Sequence, residues 1–550
     1  MTFHPTTRTH FLLIALTALG IAATPLACAE DFSNCLHTAT CPADGDAGEG
    51  GAAADGEGEG GGGGVPGGGG GAGVGEGGVG GDHAPFGILE VTPEDGATDV
   101  ERTPTIHVTF SADVDEESIS EESVRLEGPQ GPIPVSRSVA GNELTMVPEQ
   151  PLALLGSYTI ALDDTLRSAT GVALGESTSF RFRARDGAFR VAERIASGEM
   201  ISVQYRDSPD GHIAIMWDTN DVVQAVVRDA AVGEWSTVRD VDDTPGQVTA
   251  LSLSINDKAD VLLSWSRLAN GGGTARYLAS AGWQNAIDHQ GPRRAVLLED
   301  GAIVGIWPET PGSSRLLFSV IGPGTHAWSD PELFRDEAFL IGLLPFGNNA
   351  RAVFTTEGGR LWHRQYDQQS GWAPAQLLTD ETMGLDHWSA TVQAAHQLTI
   401  SWKDTNGVWA LIADGITTTT DLVSHGTAAY PALSVNEASQ ALLTWIESDA
   451  TRVALRSVDG SWGVSEELGA FPGDKFMGAS PGLDADGNGL VAWGPHGPIA
   501  VRRYTADTGW STPPDAPSAQ ANMVFVTTRP SGDSTLVWYN ATGLWAAEFD

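Results

Sequence analysis

PALSVNEASQALLTW (Pro431 to Trp445), TRVALRSVDG (Thr451 to Gly460) and SWGVSEEL (Ser461 to Leu468) read as four short strands divided by tight turns. The pattern returns along the last two-thirds of the 550-residue chain. An apolar run ending in an aromatic recurs as IAIMW, VLLSW, AIVGIW, ARAVF, LTISW, ALLTW, GLVAW and STLVW. The terminal aromatics, Trp217, Trp265, Trp307, Phe354, Trp402, Trp445, Trp493 and Trp538, lie 42 to 48 residues apart. A second aromatic follows 17 to 21 residues later at Trp235, Trp283, Trp328, Trp372, Trp462 and Trp510. A repeat of this length, rich in strand-formers and turns, is the signature of a β-propeller blade.

Counting the second-strand aromatics gives eight blades in residues 186–550; seven is the alternative, if one unit has degenerated into a linker. The fourth-strand aromatic is missing near Thr420, where ITTTTDLV stands. The last repeat ends at Asp550 after its third strand. Its fourth strand is expected from FRVAERI, with Phe189 at the aromatic position, which joins the two ends of the domain and removes open sheet edges. Sixteen of the 17 tryptophans occupy repeat positions, Trp362, Trp409 and Trp545 sharing a third-strand offset, so packing between strands is their expected work. Trp388, in LDHWSA, falls outside the register. It is expected on the rim where a fourth strand passes to the next first strand, either plugging neighbouring blades or stacking on a sugar ring.

Upstream, the chain divides by composition. Residues 1–28 read as a signal peptide: Arg8 precedes FLLIALTALGIAA, an apolar run too short to span a bilayer. PLAC, ending at Cys28, resembles a lipoprotein box, which implies acylation of that cysteine; Pro25 departs from the usual aliphatic residue. Ordinary cleavage after Ala29 is the alternative. Cys35 and Cys41 then remain as a pair, read as a small disulfide in an oxidising compartment. Residues 29–85 form a tether. Its segment Asp44 to Ala84 holds 22 glycines and 8 acidic residues among 41, too little apolar surface to offset the entropy of ordering. Such a chain reaches roughly 35 Å.

Residues 86–185 change character. Ile106, Val108 and Phe110 alternate with polar residues, as do Phe180 and Phe182, and PEDG and PEQP punctuate the runs. VTPEDGATDV, IHVTFSADVD, LTMVPEQPLALLGSYTIALDD and FRFRAR together resemble a bacterial Ig-like domain of the S-layer-protein type. That resemblance implies a β-sandwich used for spacing or adhesion. The fold class is therefore all-β: a disordered Gly-rich linker, an Ig-like sandwich and a propeller.

Four motifs bear on chemistry. GAGVGEGG (Gly71 to Gly78) matches a dinucleotide fingerprint without its strand and helix. GASPG (Gly478 to Gly482) matches a nucleophile elbow but opens a strand, with no helix after it. DADGNG (Asp484 to Gly489) starts like a calcium loop, yet position 12 is Pro495 rather than a bidentate glutamate, so a tight turn is expected. SVDGSW (Ser457 to Trp462) is similar to the Asp-box turn of sialidases, whose activity would also imply an arginine cluster. The expected first strands present no such cluster. DVDD (Asp240 to Asp243) reads as a solvated turn.

With 71 acidic against 30 basic residues, the net charge of -41 excludes nucleic acid and anionic membrane surfaces as partners. The expectation is an exported protein at the outer membrane or cell surface, or else periplasmic or secreted, held to the membrane only by a lipid anchor. It is expected to be monomeric, to need no cofactor or metal and to carry no catalytic residue. Its head would bind polysaccharide or another surface protein, with Trp388 as ligand-binding candidate. A glycan-active hydrolase or lyase, and a purely structural envelope protein, are the alternatives.

Overall fold

The computed structural model describes residues 85–550 except 209, 220–221, 243, 245–246, 257, 268–270, 285–286, 290–293, 311–312, 326, 357, 383–387, 393–396, 414–417 and 472–477. Among the described residues all extended structure is β, with one short 3-10 turn at Glu116–Ser118. No helix there is long and apolar enough to cross a membrane.

The N-terminal unit is a two-sheet sandwich. Ile88–Thr92, Ile106–Phe110, Glu143–Pro148 and Val135–Ala140 build one sheet. Ala97–Val100, Thr178–Ala184, Ser157–Leu162, Val124–Gly128 and Gly131–Ile133 build the other. The alternation read in IHVTF is the burial pattern: Ile106, Val108 and Phe110 are fully buried against Leu126, Leu144 and Ile160, while His107 and Thr109 are half-buried.

Beyond this sandwich, the described residues make eight successive antiparallel sheets with a core of four strands each. In chain order, sheets one to four occupy 201–242, 248–289, 294–335 and 338–382. Sheet five comprises Trp388–Val392, Leu398–Lys403, Gly407–Ala413 and Thr418–His425. Sheet six comprises Ala428–Val435, Ala441–Glu447, Ala450–Arg456 and Glu466–Ala470. Sheet seven comprises Ser480–Leu483, Gly489–Trp493, Ala500–Thr505 and Gly509–Ser511. In sheet eight, Met523–Thr528, Ser534–Asn540 and Gly543–Phe549 are completed by Glu193–Ser197. That fourth strand comes from the start of the domain, and Phe189 bridges Phe549, their rings 5.2 Å apart.

A separate hydrophobic cluster fills each interface between consecutive sheets, and one more joins sheet eight to sheet one. The ring closes by packing: Tyr205 stacks on Phe525 at 4.5 Å and its hydroxyl meets Thr527. The periodic aromatics explain why the repeat packs this way. Trp265, Phe354, Trp402, Trp445, Trp493 and Trp538 each plug the interface with the preceding sheet, and Trp217 plugs the closing one. Trp307 is the exception; it is half-buried and outside the clusters. Room for the plug is written into the next strand at Gly273, where a Cβ would run into the Trp265 ring.

The sandwich is docked on this ring. The Arg102 guanidinium grips both oxygens of Asp533 in sheet eight at 2.5 and 2.8 Å and donates to the Leu152 carbonyl at 2.6 Å. Leu154, 1% exposed, joins the core between sheets seven and eight, its N–H bonded to the Ser531 carbonyl. Arg183 pairs with Asp507, and buried Arg503 reaches Asp186 at 3.0 Å. All these contacts lie at one end of the ring, where first strands turn into second and third into fourth.

Candidate functional site

At that same end, sheets six and seven part to leave a cleft of about 480 Å³, within the roughly 300–1,000 Å³ of small-ligand sites. One wall is the third strand of sheet six, and Val453 and Leu455 lie on its floor with Leu483 opposite. The fourth strand starts beside it at the Arg456–Trp462 bridge, then drifts until Glu466 pairs with Val453. Gly463, whose N–H bonds to the Leu455 carbonyl at 2.8 Å, leaves the floor bare between those points. The facing wall is the Asp484–Asn488 turn of sheet seven with Tyr504 beyond it. Gln440 closes the inner end against Gly487. Val458 and Val464 stand exposed at the lip, 66% and 89% accessible.

Two turns hold these walls. Asp459 accepts from the Ser461 N–H at 2.9 Å and from the Ser457 and Ser461 hydroxyls at 2.5 and 2.7 Å, which pulls its pKa down to about 2. The carboxylate of SVDGSW is thereby consumed in fastening its own turn. Asp484, 2% exposed, accepts from the N–H groups of Asp486 and Asn488 and from the Asn488 amide. Burial raises its pKa to about 6 against the pull of Arg503. Asn256 and Asn436 cap the equivalent turns of sheets two and six in the same way. DADGNG is thus a tight turn, and no cluster of three metal-ligating side chains exists among the described residues.

The groups left facing the cleft are polar at the rim and apolar at the floor. Asp486 is exposed as a residue, though partial burial of its carboxyl raises its pKa. It lies close enough to the sandwich to reinforce the upward shift that burial imposes on Tyr158. The one cationic lining residue, Arg456, is 9% exposed and donates to the Ser439 carbonyl at 2.8 Å. Trp462 borders the cleft; its ring packs on the core between sheets five and six and its indole N–H donates to Asp421 at 3.3 Å.

Trp388 is at the opposite end of the ring. It is the first residue of an innermost strand rather than part of a rim connection, and it pairs with Trp402, which pairs with Trp409. Leu251 and Val524 hold the same place opposite Trp265 and Trp538, so the position repeats although the residue type does not. Trp388 is half-buried against the core between sheets four and five. Cys28, Cys35 and Cys41 lie outside the described residues. Ser480 of GASPG opens an extended strand and accepts the Val526 N–H at 2.9 Å. In DVDD, Asp242 is bound to buried Arg267 at 2.9 Å and Asp240 to Gln224, while Asp243 is outside the described residues.

Residues 82–184, which hold the whole sandwich, match the sequence pattern of the bacterial Ig-like domain family. The N-terminal unit is a bacterial Ig-like domain. Beside this Ig-like domain, the chain is similar to β-propeller-like solved structures. The Dos1 propeller is 9% identical, with a TM-score of 0.42, over 66% of this chain and 95% of that one. The BP39L lectin from Burkholderia pseudomallei is 12% identical, with a TM-score of 0.40, over 60% of this chain and 100% of that one. An auxiliary nutrient binding protein from Bacteroides ovatus is 10% identical, with a TM-score of 0.32, over 85% and 98%. No curated protein matches the chain in sequence.

Proposed function

We propose that this chain is an exported surface protein whose eight-bladed propeller head binds glycan without turning it over, tethered through acylated Cys28 and the Gly-rich segment. The observation that carries the reading is the cleft between sheets six and seven. An apolar floor of Val453, Leu455 and Leu483 suits the C–H face of a sugar ring, and Gln440, Ser457, Glu466 and Asp486 supply acceptors and donors for its hydroxyls. The eight sheets and the closing strand support the blade count. The docked Ig-like domain supports display of the head as one body with its spacer. Trp388, half-buried in a tryptophan row on the other face, is assigned to packing, and its replacement should lower stability rather than affinity.

A glycan array probed with the full exported chain, with released sugar monitored in parallel, tests the proposal. Retention of a defined glycan class without released product is expected, weakened by Leu455→Asp in the cleft floor. Released sugar would make the head a hydrolase or lyase, and no retention on any glycan would remove the glycan reading. For the anchor, Cys28→Ser should abolish acylation, read by intact mass.

A further inference from the structure

The charge of the cleft narrows the ligand, on the premise that the cleft is the binding site. Two carboxylates, Glu466 and Asp486, border it from opposite walls, and neither has an ion-pair partner among the described residues. Among the described residues, the arginines near the edge are each drawn toward other groups. Arg456 is turned into the Ser439 carbonyl, Arg452 of the same strand pairs with Glu447 and Glu467, and Arg503 of the facing sheet is buried on Asp186 and Asp484. Asp459 adds a third negative charge in the turn at the lip, since its hydrogen bonds hold it ionised.

A uronate, sialate or sulfated sugar entering here would meet carboxylates, while the lining Arg456 is turned onto the Ser439 carbonyl. Placing like charges together in a partly desolvated cleft costs binding energy that hydroxyl contacts would have to recover. A protonated amine does the reverse, gaining charge-assisted hydrogen bonds from acceptors that are already in place. The apolar floor sets the second half of the recognition, because it needs a ring face to cover it, which a simple polyamine lacks. We infer that the cleft between sheets six and seven is selective for glycans bearing free amino groups, such as deacetylated hexosamine oligomers, and rejects acidic glycans.

Isothermal titration of the full chain with three probes of equal length tests this: glucosamine oligomers, N-acetylglucosamine oligomers and uronate-containing oligomers. The expected order places the amino oligomers at least tenfold tighter than the acetylated ones, with no measurable binding of uronates. Glu466→Gln with Asp486→Asn should erase the tenfold preference by weakening the amino oligomer far more than the acetylated one, and added salt should weaken only the amine-bearing probe. Equal affinity for uronate and amino oligomers would overturn the charge selectivity while leaving glycan binding intact. Failure of all three sugars, or binding indifferent to Leu455→Asp, would instead remove the cleft as a glycan site. Spermine bound as tightly as the amino oligomers would overturn the sugar part of the inference.

Discussion

The junction that holds the Ig-like domain and the cleft between sheets six and seven lie at the same end of the ring and are built from turns of the same design. At the junction, charge is matched throughout: Arg102 with Asp533, Arg183 with Asp507, Arg503 with Asp186. A leucine fills the remaining gap. In the cleft, the neighbouring turn presents Asp486 to solvent and the opposite strand presents Glu466, and neither has an ion-pair partner among the described residues. The repeat supplies a scaffold that either neighbour can close; where a second domain supplies the counter-charges it becomes structure, and where none does it stays open to a ligand. Buried polar groups without partners are costly, so the open site is tolerated because its carboxylates sit at the rim and only its floor is apolar.

The comparison breaks first if the repeat positions are not packing positions. Trp445→Ala, at a site with no exposure, should cost about 3–5 kcal/mol in urea unfolding; a loss under 1 kcal/mol would detach the aromatic period from the core. The next largest effect is a pH dependence. Burial raises the Asp484 pKa to about 6 in the folded chain from an ordinary 3.8, so the folded state keeps a proton that the unfolded state has lost. The contribution of this group is fully present below about pH 3.8 and falls as pH rises through 6, by up to about 3 kcal/mol. Asp484→Asn should remove that downward slope between pH 4 and 6 when the two stability curves are subtracted, and an unchanged slope would contradict the burial account.

Cutting the junction comes third. Arg102→Ala leaves Asp533 without its bidentate partner and should loosen the domain contact by about 2 kcal/mol. Calorimetry should then resolve two transitions in place of one, with new protease cleavage between Asp186 and Arg190. The smallest effect is expected in the cleft, where Asp486→Asn and Glu466→Gln should each change stability by under about 0.5 kcal/mol. A larger gain from either would show that these carboxylates repel each other enough to strain the fold.

Much of the architecture is legible in the sequence because it repeats. Trp217 through Trp538 mark the second strands, Phe189 marks the closing strand, and alternation in IHVTF marks the sandwich. The docking of the Ig-like domain is not legible, since Arg102 and Asp533 are 431 residues apart and nothing local pairs them. The cleft is invisible for the same reason: Glu466 and Asp486 meet only when two repeats stand side by side. One local signal does exist. The residue after the fourth-strand tryptophan is Ser236, Gln284, Ser329, Ala373 or Ser511 in other repeats, and glycine only at Gly463. At Trp388 the residue type breaks the period while the position opposite the second-strand aromatic repeats, as at Leu251.

The most direct test of the central claim is where a ligand protects the backbone. Hydrogen–deuterium exchange of the full chain, with and without saturating glucosamine oligomer, should show slowed exchange confined to residues 453–466 and 483–506. Protection centred on Trp388 and the opposite face of the ring, with 453–466 unchanged, would contradict it.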